Sequence, residues 1–447
     1  MRRAVAPLLA VTVAMVLADS AVVTLALPDI LQNLDASVGQ VAWVLIAYNL
    51  VLGVAAVPAA AAFARVQPRV FSAVGVAVFA GASAWCALAD SIEVLIIARC
   101  VQAVGGALAL IGCLEQLVEV RGERRGVATW VTAGVIGTAA GPVAGGLLTQ
   151  AISWQAIFVV QVPFALLAVP AALSVASAPP QEADRHRPAV RANITLALMS
   201  AALTAALFLL VLLLVEGWGR SPATAAVTVS VVPIAALAAG PLVRLLRPPH
   251  DVVEVAVGCF LVAGGLAALA IPPSAHLAWT IAPQALVGLG LGLTVDRLTS
   301  QAMEMRLPRA RHAGWTISAR HVGVVVGLAI LTPVFTADLQ DAQEPAQEAI
   351  TSLVLDAPLP PDDKIAVAQA LGDALSDERG QVPDLHPAFA SLDVDPRYRA
   401  ATDQLERDLD SQLERAATWA FRDSFLIGAG IALLALLSSL RLRRRTS

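Results

Sequence analysis

Apolar residues run along this chain in blocks of about twenty or more, and shorter polar stretches separate the blocks. The blocks fall at roughly 5–28, 40–63, 70–89, 93–117, 127–150, 155–178, 193–216, 222–246, 252–272, 277–300, 314–335 and 418–440. At about 20 residues per crossing, each is long enough to traverse a bilayer as one helix. One long stretch, 337–417, breaks the pattern. Its apolar residues are sparse but recur at helical spacing: Ile365, Val367, Ala368, Leu371 and Leu375 follow Pro360–Pro361, and Leu405, Leu409 and Leu413 fall four apart within 397–421. The pattern predicts an all-α membrane protein with twelve crossings and a small helical insert between the last two.

Composition fits that picture. Of 447 residues, 57% are hydrophobic and 14% charged, and the mean hydropathy is +0.73, which is polytopic-membrane composition. The placement of charge adds more. Arginines cluster in the connections after even-numbered blocks (Arg65 and Arg69; Arg121, Arg124 and Arg125; Arg185, Arg187 and Arg191; Arg244 and Arg247; Arg306, Arg309 and Arg311) and in the tail, Arg441 and Arg443–Arg445. Positive loops face the cytoplasm, so both termini are expected there, in a multi-pass protein of the cytoplasmic membrane. The insert then lies outside, where its 18 acidic against six basic residues could meet an extracytoplasmic partner. The polar, proline-containing stretch 179–192 is the natural seam between a six-helix bundle, 1–178, and a second formed by 193–336 with 418–447. The N-terminal block carries Asp19 and no convincing cleavage site, so it reads as a helix that stays. Cys86, Cys100, Cys113 and Cys259 lie in apolar blocks, so no disulfide framework is expected.

Ionisable residues inside the bilayer are the functional candidates, because burying them is expensive. Asp19 lies about two-thirds of the way out along the first block. Arg99 lies at a matching depth in the fourth, so the two are expected to form a switchable pair for proton coupling. Asp296 and Arg297 end the tenth block, and Arg320 and His321 lie about two turns into the eleventh. Asp296 is expected to meet Arg320 if those helices adjoin. Glu115, near the inner end of block four, is a fallback proton site. The stretch Gly134–Gly146 is unusual in another way. Gly137, Gly141 and Gly145 repeat every fourth residue, Gly146 follows, and Pro142 removes a backbone hydrogen bond beside them. Together they predict a close-packing, bendable helix face. No phosphate-cradling loop with a lysine is present, since Lys364 is the only lysine. The histidines have no metal-ligand spacing. No enzyme, metal, cofactor or nucleic-acid partner is expected, and the inner arginine clusters suit anionic lipid headgroups.

Gly137-x-x-x-Gly141-Pro142-x-x-Gly145-Gly146 resembles the helix-five antiporter motif of the major facilitator superfamily. Asp19-Ser-Ala-Val-Val-Thr24-Leu-Ala26-Leu27-Pro28, Trp43 with Tyr48 and Pro58, Arg99-Cys-Val-Gln102, Gly122-Glu-Arg-Arg125, Trp154 to Pro163 with Gln161, Gly288 to Gly292, and Arg320-His321-Val-Gly323 resemble further motifs of its drug:proton antiporter branch, whose members usually have fourteen helices. The resemblance implies two six-helix bundles and proton-coupled export of hydrophobic or amphipathic compounds by alternating access. Tyr48, Gln102 and Gln161 are the expected cavity residues. Lipid or glycolipid export on the same fold and a transport-inactive scaffold or sensor are the alternatives. The chain departs from the pattern in the loop after helix two, where Ala64 and Gln67 replace an aspartate and a glycine. It also has twelve crossings rather than fourteen, and blocks seven and eight resemble the branch's central insert as well as bundle helices. In a cysteine-free background, a cysteine at Asp373 is expected to react with a membrane-impermeant thiol reagent on intact cells, and one at Arg187 is not. The reverse labelling pattern overturns this topology.

Overall fold

The computed structural model describes residues 2–175, 186–246, 251–303, 306–377, 385–390 and 397–440. Residues 179–185 of the seam and the basic tail from 441 therefore lie outside the described residues. The described chain is built from helices: α1 (Arg2–Thr24), α2 (Val38–Phe63), α3 (Pro68–Ala87), α4 (Ile92–Arg121) and α5 (Glu123–Ala151), then α6 (Ala156–Ser174), α7 (Val190–Gly217) and α8 (Pro222–Val243), then α9 (Asp251–Leu269), α10 (Ala278–Met303) and α11 (Arg309–Asp356), and finally α12 (Pro361–Asp377), α13 (His386–Ala390), α14 (Arg399–Ala420) and α15 (Arg422–Leu440). Eleven spans among the described residues are long and apolar enough to cross a membrane, and α5, bent by 40° between Thr138 and Ala140, makes a twelfth. The bend falls about one turn before Pro142, where a proline ring displaces the preceding carbonyl. Local chemistry starts the helices where the blocks begin. Ser37 and Gln40 close a capping box on α2, and Ser91 caps α4. Gly122, at φ 79°, makes the sharp corner from α4 to α5.

The two halves repeat one packing scheme. In the first, α3 packs on α4 and α6, α1 on α5, and α2 on α4; in the second, α9 packs on α10 and α15, α7 on α11, and α8 on α10. Helices α7 and α8 are thus bundle helices rather than an added pair. The halves meet where α2 lies along α11 and α5 along α8.

Glycine sets the closest contacts. A Cβ on Gly137 or Gly145 would strike the carbonyl oxygen of Ala14 or Val22 in α1, and one on Gly141 would sit 2.9 Å from that of Ala18. The stripe of α5 is therefore a seat for α1. Its neighbour Gly146 faces the other bundle, with the Pro222 carbonyl 2.8 Å from where its Cβ would be. The second half repeats the device. Gly288 and Gly292 of α10 rest on Val232 and Ala236 of α8, and Gly323 and Gly327 of α11 rest on Ala197 and Ala201 of α7.

The insert folds into an arm with its own core. Ile350, Val354, Val367, Leu371, Leu385, Phe389, Leu405, Leu409 and Leu413 pack together there. The helix expected to end near 335 instead runs unbroken to Asp356 as one 48-residue rod, because Ile350 and Val354 continue its apolar face into the arm core. The arm also rests on the α7–α8 turn, where Trp218 Nε1 donates to Thr418 Oγ1 at 2.9 Å and Arg220 pairs with Glu414 at 3.4 Å. Gly137→Ala is expected to lower the Tm of the detergent-solubilised protein by several degrees, since overpacking costs about 1–3 kcal/mol. Gly264→Ala, whose Cβ would meet nothing within 4 Å, is expected to leave it unchanged. Equal shifts would mean that α1 yields freely to α5.

Candidate functional site

Asp19 on α1 and Arg99 on α4 form an ion pair, and both side chains are 0% exposed. The matched depths expected from their positions are realised. Three amide and hydroxyl side chains complete the shell. Gln161 Nε2 donates to Asp19 Oδ1 at 2.8 Å, and Gln102 Nε2 donates to the same oxygen at 3.3 Å. Gln102 Oε1 accepts from Arg99 Nη1 at 2.7 Å, and its Nε2 donates to Ser83 Oγ at 2.8 Å. The Tyr48 ring lies flat under the guanidinium, 4.0 Å from Cζ to centroid, and Phe158 approaches from another side at 5.6 Å. Tyr48 Oη in turn donates to the Val16 carbonyl on α1 at 3.0 Å. Helices α1, α2, α3, α4 and α6 thus all close on one dry pair. A buried pair is tolerated when its remaining lone pairs and protons are met, and here only Arg99 Nη2 is left without a partner.

The main cavity is separate from the pair. A cavity of about 230 Å³ lies between α5, α7, α8, α10 and α11, walled by apolar side chains such as Val131, Leu203, Leu207, Val232 and Leu291. A second of about 90 Å³ reaches α1 and α2 at Ser20, Thr24, Leu45 and Asn49. Thr138, Ser200, Leu203, Leu207 and Arg320 line both, so they form one chamber between the bundles. Helix α7 bulges beside it in a π turn, Ala205–Leu209, which turns Leu207 and Phe208 towards the space.

The structure corrects two placements. Tyr48, Gln102 and Gln161, expected in the cavity wall, line neither part of this chamber; they are buried around Asp19 and Arg99 instead. Asp296 and Arg320 both line the larger cavity but form no ion pair. Arg297, next to Asp296, turns away to Glu254 at 2.9 Å. Glu115 is held by Arg309 of α11 at 2.9 Å, and Arg309 also pairs with Glu123 at the start of α5 at 2.9 Å. That three-residue clasp ties the two bundles at the face carrying both termini. The clasp was missed although Arg309 and Glu115 lie at the same face in sequence order. At the arm face, Gln150 Oε1 accepts from Ala223 N at 2.8 Å and ties α5 to α8. A further bridge was also missed. His321 Nδ1 donates to Asn49 Oδ1 at 2.8 Å, and Ser20 Oγ donates to the same oxygen at 3.0 Å. The bridge joins α11 to the residue beside Asp19.

Two helical bundles clasped at both faces around a central chamber, with a charge pair sealed in one of them, define a polytopic membrane protein. The chain belongs to the Major Facilitator Superfamily, whose sequence profile matches residues 9–331. It is 38% identical over 169 residues to the tetracenomycin C resistance and export protein of Streptomyces glaucescens, covering 37% of this chain and 31% of that protein. It is 32% identical over 162 residues to the multidrug efflux pump LfrA of Mycolicibacterium smegmatis, covering 35% and 32%. The alignments therefore span about a third of these relatives' length. Among solved structures, a bacterial homologue of the human lysosomal transporter Spinster, in an inward-facing and occupied conformation, superposes with a TM-score of 0.64 at 16% identity over 98% of this chain and 96% of that one, which is a likeness of fold.

Removing either partner of the pair strands a buried charge, at a cost of roughly 3–5 kcal/mol. Arg99→Ala is expected to lower the Tm more than Asp19→Asn. Arg99 keeps Gln102, the Val44 carbonyl and the Tyr48 face when Asp19 is neutralised, whereas Asp19 keeps only two amides when Arg99 is lost. The reverse order of Tm values would show that Arg99, not Asp19, bears the burial cost.

Proposed function

We propose that this chain is a proton-coupled secondary transporter that exports hydrophobic or amphipathic compounds across the cytoplasmic membrane by alternating access, with both termini in the cytoplasm and the arm outside. One observation carries the reading: the Asp19–Arg99 pair is sealed from water on a helix seated in the glycine stripe of α5, beside a chamber with largely apolar walls. Protonating Asp19 removes the charge attraction that holds α1 to α4. A shift of α1 is passed to α5 through the seats at Ala14, Ala18 and Val22, and to α11 through Ser20, Asn49 and His321. Parting Arg309 from Glu115 and Glu123 opens the terminus face; parting Gln150 from Ala223 opens the arm face. The printed functions of the tetracenomycin C and LfrA relatives, export and efflux, agree with this direction.

Lipid or glycolipid export is the second reading. It is favoured by the arm, a folded acidic body docked on the α7–α8 turn, where it could receive a cargo or a partner protein. A transport-inactive scaffold would need neither a sealed ion pair nor a chamber.

Proteoliposomes with an imposed pH gradient separate these readings when dye efflux and lipid transfer are followed together. Asp19→Asn is expected to lose uphill efflux while keeping dye binding, because the amide preserves shape and most hydrogen bonds. If Asp19→Asn pumps as well as the wild type, the pair is structural and the proton site moves to Glu115 or Asp296.

A further inference from the structure

Among the described residues, three arginines that reach into the membrane part of this protein have carboxylate partners, and Arg422, at the start of α15, lies over the Trp419 ring. Arg99 pairs with Asp19, Arg297 with Glu254, and Arg309 with Glu115 and Glu123. Arg320, about three turns into the membrane part of α11, Arg309–Asp338, makes no ion pair, hydrogen bond or ring contact among the described residues, and it lines both parts of the central chamber. A guanidinium cannot shed its charge at any physiological pH, and an unpaired cation at this depth is costly. Asp296, the one carboxylate among the residues lining the chamber, shares its larger part with Arg320 but forms no ion pair with it. The neighbouring His321 is already committed through Nδ1 to Asn49. Thr138, Ser200 and Thr204 add neutral polar groups around the same space, and the remaining lining is mostly aliphatic.

We propose that the ion-pair partner Arg320 lacks is supplied by the cargo: Arg320 is the anchor for an anionic oxygen group, a carboxylate, phenolate or phosphate, on a compact apolar body. Guanidinium binds such groups through two parallel N–H···O contacts. The apolar body fills the space between Val131, Leu203, Val232 and Leu291. Two sources share this chemistry, a free amphipathic acid and an anionic lipid headgroup. The inference deepens the export reading but does not depend on the direction or energy source of transport, because it concerns binding alone.

The test uses purified full-length protein in nanodiscs of phosphatidylcholine, with three probes of one skeleton: 2-naphthoate, 2-naphthamide and 2-naphthylmethylamine. Wild type is expected to bind 2-naphthoate at least tenfold more tightly than the neutral amide and the cationic amine. Arg320→Gln is expected to erase that preference while leaving 2-naphthamide binding within about twofold, and Arg320→Lys to retain part of it. A thermal melt of each variant identifies any that fails to fold. For the source, lysophosphatidate that displaces 2-naphthoate while monoacylglycerol does not assigns the anchor to lipid; displacement by neither assigns it to free acids; both results keep the anchor. Equal binding of the three probes, tightest binding of the amine, or an undiminished preference in folded Arg320→Gln overturns it. If the preference is present but no probe moves in gradient-driven liposomes, the anchor stands and the export reading falls.

Discussion

A carboxylate and a guanidinium sealed from water fix the geometry of the first bundle. Neither Asp19 nor Arg99 can afford to be alone in so dry a place, so every group around them is placed to meet a lone pair or a proton. Gln102 and Gln161 serve the carboxylate, Gln102 also serves the arginine, and Tyr48 offers its ring face. That shell requires α1 to lie deep against α4 and α6. It can do so only because α5 presents bare backbone to its other side, where any side chain would collide with Ala14 or Val22. The ion pair and the glycine stripe are two halves of one constraint: the pair draws α1 in, and the stripe gives it room.

The second half of the chain repeats the packing and leaves out the charge compensation. Gly323 and Gly327 seat α11 on α7 as Gly137 and Gly141 seat α5 on α1. Yet the arginine that α11 offers to the chamber, Arg320, meets no carboxylate among the described residues. The two bundles therefore divide the electrostatics. One keeps its charge private, satisfied and dry; the other exposes its charge to the shared space. The Ser20–Asn49–His321 bridge crosses between the private and the shared charge, one residue away from each.

Much of this was legible in the amino-acid sequence. Twelve apolar blocks locate the helices because a bilayer tolerates little else for twenty residues. Asp19 and Arg99 could be paired by depth alone, since a helix rises by a fixed amount per residue. The glycine stripe announced a close contact, though not with which helix. Rotation was the missing quantity. A helix that is apolar on every side gives little sign of which face looks inward, so Tyr48, Gln102 and Gln161 could be placed at the right depth and on the wrong surface. The same blindness paired Asp296 with Arg320 and hid the clasp of Arg309 with Glu115 and Glu123. The arm's helices were visible from Leu405, Leu409 and Leu413, but the continuity of α11 was not, because its polarity changes where its backbone does not.

That continuity has a mechanical meaning. At about 1.5 Å per residue, a rod the length of α11 reaches roughly 70 Å, against a hydrocarbon core of about 30 Å. It begins at the Arg309 clasp, passes the chamber at Arg320 and His321, and ends inside the arm core at Ile350 and Val354. Pro333 and Pro345 lie inside it and each removes one backbone hydrogen bond, yet the helix continues from the clasp to the arm core. A tilt of about ten degrees at the membrane swings the last 18 or so residues through roughly 5 Å, a displacement set only by the helical rise. One helix thus joins the clasp, the chamber and the core of the acidic arm, so a tilt of its membrane part would displace the arm as well.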